Sequence, residues 1–222
     1  MKIKLPDNQP EISSQEKILD SAQEEFITYG YEGARIQRIA SMSGANKAMI
    51  YYYYGSKENL YRLVLRRIFS GAFRTLGTII SEEQPVEDKL KALIMFYIDI
   101  YKKNPGFVRV LLRELAAEKS MLREVLAEIR RSAPGFDIPD AFGRILSGAV
   151  KKGIVRQVDA RHTFMSLIGM SAGFFIFRPI AETMIPLSSR EAKKFAEERA
   201  GHVADLLLNG IMERRKEAGG ED

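Results

Sequence analysis

Apolar residues recur at three- and four-residue steps along most of this chain, and no run of alternating apolar and polar residues suggests a strand. The first stripe is Ile18, Leu19, Ala22, Phe26 and Ile27. Ser13-Ser-Gln-Glu16 precedes it as a capping box, and Gly30 supplies a helix stop. A longer stripe, Leu60, Leu63, Val64, Ile68 and Phe73, follows a cap at Ser56 and runs toward Ser81. Pro85 opens a fifth helix to Lys103, with Leu90, Leu93, Ile94, Tyr97 and Ile98 inward, and Asn104-Pro-Gly breaks it. Helical patterns continue over Phe107–Lys119, Met121–Arg131 and Asp140–Lys152, with Ser132-Ala-Pro-Gly and Pro139 marking a loop. Asp159 caps a helix through Phe177 that Arg178-Pro179 should end. A second capping box, Ser188-x-x-Glu191, opens the last helix, with Phe195, Val203, Leu206, Leu207 and Ile211 along one side. Met1–Ile12 reads as a loose arm and the charged tail from Arg214 as a fraying end. The pattern predicts an all-α protein.

Between the first stripe and Leu60 the spacing tightens. Ile36, Ile39 and Ala40 give one short helix an apolar face; Ala45 and Ile50 do so for the next; Gly44 lies in the turn between them. Two short helices about such a turn form a helix-turn-helix, whose second helix enters a DNA major groove. With the first helix packed over both, this gives a three-helix unit over residues 13–60 and a larger helical domain over 61–213. In the second helix Lys47 can donate to guanine O6 and N7, and Ala48 can meet a thymine methyl. Gln37, on the preceding helix, suits adenine, and Arg35 at its start can grip phosphate or reach a base. Asn46 can cap the second helix and stands among the expected DNA-contact residues. Successive helical residues diverge by about 100°, so Tyr51-Tyr-Tyr-Tyr54 cannot all face DNA.

The order Gly30-Tyr31, Ile36, Ile39-Ala40, Gly44, Ile50-Tyr51 and Gly55-Ser-Lys-Glu-Asn-Leu60 resembles the N-terminal domain of TetR-family repressors, over roughly the first third of the chain. That family often has Thr at the place of Ala34, Ser or Thr at Asn46 and Phe at Tyr54. The Tyr54 hydroxyl, at a buried position, therefore needs a partner. The resemblance implies base-reading places for Gln37, Lys47, Ala48 and Tyr51, and phosphate contacts for Tyr52, Tyr53 and Lys57. Met49 also stands at a phosphate position but has no donor. The resemblance further implies a homodimer through the two C-terminal helices, a palindromic operator, and a small molecule bound in the second domain that releases the DNA. Candidate lining residues are Met95, Phe96, Phe107, Arg113, Phe142, Met165, Phe174 and Phe175, each of which would serve equally as core. Their chemistry favours a mainly apolar ligand, while Arg109 and Arg113 admit an anionic group.

Charge and composition sharpen this picture. Seven cations lie between Gly33 and Arg67 (Arg35, Arg38, Lys47, Lys57, Arg62, Arg66, Arg67) against one acid, Glu58, so this window carries 7 − 1 = +6 while the whole chain carries +5. A basic patch on the helix-turn-helix is the footprint of a polyanion partner. There is no cysteine, which excludes disulfides and thiolate chemistry. The longest apolar run, Phe164–Phe177, is shorter than the ~20 residues a membrane span needs. A cytoplasmic location is expected, with no cofactor and no metal. Gly169-Met-Ser171-Ala-Gly173 matches a nucleophile pattern, and His202 offers a base, so an α-helical hydrolase is the outlying alternative. A DNA-binding regulator without an inducer is the nearer one. Small residues Gly169, Ser171, Ala172 and Gly173 would let a second helix approach closely.

Overall fold

The computed structural model describes residues 13–132, 137–184 and 188–212. The expected arm at Met1–Ile12, most of the loop after Ser132 and the tail from Arg214 lie outside the described residues. Those residues form ten α-helices: α1 (Ser14–Gly33), α2 (Ile36–Ser43), α3 (Lys47–Tyr54), α4 (Lys57–Ser81), α5 (Val86–Lys103), α6 (Pro105–Ala116), α7 (Met121–Ser132), α8 (Ile138–Lys151), α9 (Ala160–Met184) and α10 (Ser189–Ile211). The only extended pairing among them is an isolated bridge between Val155 and Met212. The all-α expectation holds.

The chain divides into two compact units, residues 1–67 and 68–222, so the division falls inside α4. The motif placed it at Leu60; the first turns of α4 belong with unit 1 because their side chains are built into it. Tyr61 is buried against Phe26 and Tyr31, with ring centroids 4.8 and 5.3 Å away. Arg67 reaches Asp20 at 2.6 Å and Glu16 at 3.8 Å.

In unit 1, Ser13 caps α1 by accepting from the Glu16 amide at 3.2 Å. The backbone leaves the helical region at Gly30, whose φ of +70° suits a residue without a Cβ. Ile18, Ala22 and Phe26 of α1 are buried, as are Ile36, Ile39 and Ala40 of α2 and Ile50 and Tyr54 of α3. The Tyr54 hydroxyl finds its partner far away in sequence: it donates to the Gln15 carbonyl at 2.7 Å. Burial, followed by the Glu16 charge, holds its pKa above the ordinary tyrosine value, so it remains a donor.

In unit 2, α5 packs against both α9 and α10. The core gathers Leu90, Leu93 and Ile94 of α5, Phe142 and Leu146 of α8, Leu167 of α9, and Val203 and Leu207 of α10. Several ends differ from the pattern. α6 ends at Ala116, short of Lys119, because the buried Glu114 carboxylate turns to accept from the Leu122 amide (2.9 Å) and the Ser120 hydroxyl (3.0 Å), capping α7. α8 starts at Ile138, before Asp140, because Asp137 caps it by accepting from the Asp140 amide at 3.3 Å; proline is compatible with a first turn. α9 continues through Pro179 to Met184. Proline lacks one amide donor, and here that loss does not end the helix. The capping box at Ser188 and Glu191 forms in full.

Tyr54→Phe keeps the ring and removes only the bond to Gln15. A loss of about 1 kcal/mol is expected in urea unfolding, with the slope unchanged.

Candidate nucleic-acid interface

α2 begins with an arginine, a poor N-cap, and Arg35 makes no side-chain cap of its own. α1 supplies the missing acceptor. The Glu25 carboxylate, 1% exposed, accepts from the Arg35 amide at 2.8 Å and from Arg38 Nε at 2.7 Å; Arg38 Nη2 lies 2.5 Å from the same oxygen. The Arg38 guanidinium also donates to the Gly33 carbonyl at 2.7 Å and stacks 4.1 Å from the Tyr29 ring centroid. Its hydrogen bond to Glu25 raises its pKa further. An anion at the start of α2 also suits the helix dipole. Arg35 thus donates its backbone inward and keeps its exposed side chain outside.

The turn between α2 and α3 is locally specified. Ser43 donates to the Ile39 carbonyl at 2.7 Å, and Gly44 adopts φ +68°, where any other residue would be strained. Asn46 then caps α3 by accepting from the Met49 amide at 2.9 Å.

Along α3, Ile50 and Tyr54 lie one turn apart and face the core. Lys47, Ala48, Tyr51 and Tyr52 are all exposed, and helical geometry spreads them over an outward arc of about 140°. Tyr52 is 84% exposed and projects freely, while Tyr53 sits between the arcs, its ring 5.3 Å from Tyr52 and 6.5 Å from Tyr54. Gln37 is exposed on α2. Asn46 uses its Oδ1 for the cap and is otherwise exposed. Lys57 is half-buried: its ammonium donates to the Glu32 carbonyl at 3.4 Å and lies 4.8 Å from the Tyr31 ring centroid. That ammonium carries three donors, so a phosphate could still share it. Ser56 caps α4 by accepting from the Asn59 amide at 3.0 Å.

The basic patch is smaller than its cation count. Arg38 is neutralised by Glu25, Arg67 by Asp20 and Glu16, and Arg62 lies 3.8 Å from Glu58. A count confined to residues 33–67 misses these α1 acids because they lie upstream of it. Glu25 belongs to no motif in the sequence; its one signal there is its place on the apolar side of α1, next to Phe26.

The eight residues considered for the second domain are dispersed. Phe142 is fully buried against Phe164, ring centroids 5.1 Å apart, and Phe107 packs on Phe69 and Tyr101. Phe96 contacts Tyr97, and Phe174 contacts Phe175 and Phe195. Met165 and Arg113 are exposed. Met95 borders a cleft between α5 and α10, and Phe175 borders another between α5, α6, α9 and α10. The G-x-S-x-G stretch lies inside α9; Ser171 is buried there without a hydrogen-bond partner, and His202 is exposed on α10. Among the described residues, no cluster of His, Cys, Asp or Glu could hold a metal, and no helix is long and apolar enough to cross a membrane.

Two family matches divide the chain: bacterial regulatory proteins, tetR family, over residues 18–64, and the tetracyclin repressor-like C-terminal domain over residues 85–207. Among curated relatives, the HTH-type transcriptional repressor NicS of Pseudomonas putida is 34% identical over 89% of this chain and 92% of that protein. The HTH-type transcriptional regulator RutR of Escherichia coli O157:H7 is 25% identical over 91% of this chain and 93% of that protein. A crystal structure of FadR from Bacillus subtilis with stearoyl-CoA shares the fold, with a TM-score of 0.66, at 19% identity over 88% of this chain and 98% of that one.

Glu25→Ala should destabilise the protein by about 3 kcal/mol, the low end for breaking a buried ion pair because Arg38 is partly exposed. Thermal unfolding measures it, and hydrogen exchange should show α2 amides opening first.

Proposed function

This chain belongs to the TetR family of bacterial regulatory proteins and is a DNA-binding transcriptional regulator; on that premise we propose that it is a homodimeric repressor of a palindromic operator, released by a small, mainly apolar ligand. It works in the cytoplasm, where its DNA is, and carries out no catalysis. The observation that carries the DNA reading is α3 itself: a short helix locked by Ile50 and Tyr54 on one side, with Lys47, Ala48, Tyr51 and Tyr52 all exposed on the other. Lys47, at the N-terminal end, reads a base edge, with Ala48 and Tyr51 beside it in the groove. Gln37 and Arg35 extend the contact from α2. Tyr52 and Tyr53 donate their hydroxyls to phosphate, and Lys57 shares its ammonium between Glu32 and phosphate at the start of α4. Asn46 caps α3 through Oδ1, and its exposed amide nitrogen adds a donor to phosphate.

The dimer reading rests on α9 and α10. Met165, Gly169, Gly173, Phe177, Ile180 and Met184 recur at helical spacing along one face of α9. Met165, Phe177, Ile180 and Met184 are exposed, as is Leu206 on α10. A Cβ added at Gly169 or Gly173 would meet nothing within 4 Å, so a neighbouring helix has room to approach. A row of large apolar side chains left in water is the mark of an interface. Two-fold pairing of the chains then presents two copies of α3 to two half-sites.

Selection from random duplex DNA should return a two-fold symmetric sequence; an asymmetric site, or no enrichment, would remove the palindrome reading. Lys47→Ala should cost about 1–3 kcal/mol on that site and relax preference at one base, whereas Lys57→Ala should weaken all duplexes and lower the salt slope by about 1. Met165→Glu combined with Leu206→Glu should yield a monomer in sedimentation that binds the symmetric site at least tenfold more weakly.

A further inference from the structure

A buried tyrosine hydroxyl needs a hydrogen-bond partner. Tyr54 has one in the Gln15 carbonyl. Tyr101 of α5 is 6% exposed, yet among the described residues its hydroxyl has no hydrogen-bond partner. Its ring is held by Phe107 and Phe175, with centroids 5.8 and 5.9 Å away. Burial pushes the hydroxyl up to about 12, so it keeps its proton throughout the physiological range.

Tyr101 borders a cleft of about 490 Å³ where the end of α5, α6, the C-terminal part of α9 and the first turns of α10 meet. That size suits a small molecule. Val108, Phe175, Ile176 and the buried Ala192 give the cleft an apolar wall, and Ala196 lies one turn beyond Ala192. The charged residues that border it, Lys102, Arg109, Arg178 and Lys193, are all exposed. The enclosed part of the cleft therefore pairs apolar surface with a protonated phenol that has a donor to offer.

Resting on the reading of unit 2 as the sensing half, we infer that this cleft binds a mainly apolar molecule bearing a hydrogen-bond acceptor, such as a carbonyl oxygen, which accepts from the Tyr101 hydroxyl while the apolar body lies against Phe175. The wall supplies burial and Tyr101 supplies choice. A hydrocarbon of the same shape fills the cleft but leaves the hydroxyl unpaired.

The probes 2-acetylnaphthalene and 2-isopropenylnaphthalene share a shape and differ in one group, C=O against C=CH2. In equilibrium dialysis against the full-length protein, the ketone should bind saturably and about fivefold more tightly than the alkene, the span of one net hydrogen bond. Tyr101→Phe should abolish that preference by weakening the ketone and leaving the alkene unchanged. It should also leave the urea midpoint in place, unlike Tyr54→Phe, because no bond within the protein is lost. Ala196→Phe, which fills the cleft, should weaken both probes while circular dichroism stays unchanged. Equal binding of the two probes, no saturable binding of the ketone, a preference that survives Tyr101→Phe, or a drop in that variant's urea midpoint matching Tyr54→Phe would overturn the assignment. Operator release, followed in parallel, separates the two ideas. Ketone bound without release of DNA upholds the cleft and counts against the inducer reading. Release by a ligand whose binding neither Tyr101→Phe nor Ala196→Phe alters counts against the cleft and upholds that reading.

Discussion

One buried carboxylate holds the DNA-reading unit in shape. Removing a charge from water costs several kcal/mol unless other groups replace its hydration. Glu25 is satisfied by the Arg35 amide and by Arg38, and both come from the helix that must be held. α2 and α3 have eight residues each, too short to persist alone in water. α2 has no cap of its own, and α3 follows it across a turn that Gly44 fixes at φ +68°. Position therefore passes from α1 through Glu25 to α2, and through the turn to α3. The arrangement removes Arg38 from the set of cations available to DNA while leaving the Arg35 side chain in solvent. A residue that looks like part of a basic patch is structural, and an acid ahead of the patch is what orients it.

The same exchange of polar groups organises unit 2. Glu114, buried, accepts from the amide of Leu122 and the Ser120 hydroxyl, so the first turn of a short helix has an acceptor supplied by the helix before it. Arg199 Nη2 reaches the Met170 carbonyl at 2.9 Å, tying α10 to α9. Beyond these contacts, large apolar side chains remain exposed along one face of α9. The apolar stripe and the small residues between its members form one continuous exposed surface, larger than scattered single apolar side chains.

Local signals were legible in the sequence; distant pairings were not. Periods of three and four placed ten helices because burial of one helical face leaves that trace, and Ser13, Asn46, Asp159 and Ser188 announced helix starts because a cap acts within three residues. The angle between successive residues required the four tyrosines of α3 to divide between faces, and the family resemblance said which one is buried. The Tyr54–Gln15 bond, 39 residues long, could be required by the sequence but not located. Glu25 lies on the apolar side of α1 but names no partner until α2 is in place, and Glu114 looks like an ordinary surface acid until α7 is. α9 passes through Pro179 although Arg178-Pro179 reads locally as a stop, because a proline's local cost says nothing of the helical turns on either side. The pocket candidates scattered for a related reason: aromatics and methionines fill cores and line cavities alike, and only the meeting of four helix ends shows where space remains.

Occupancy of a cleft is not yet regulation. A ligand shifts an equilibrium only by its difference in affinity for two arrangements of the protein, however tightly it binds either. Weakening operator binding a hundredfold takes about 2.7 kcal/mol of such a difference, within the usual range for coupled sites.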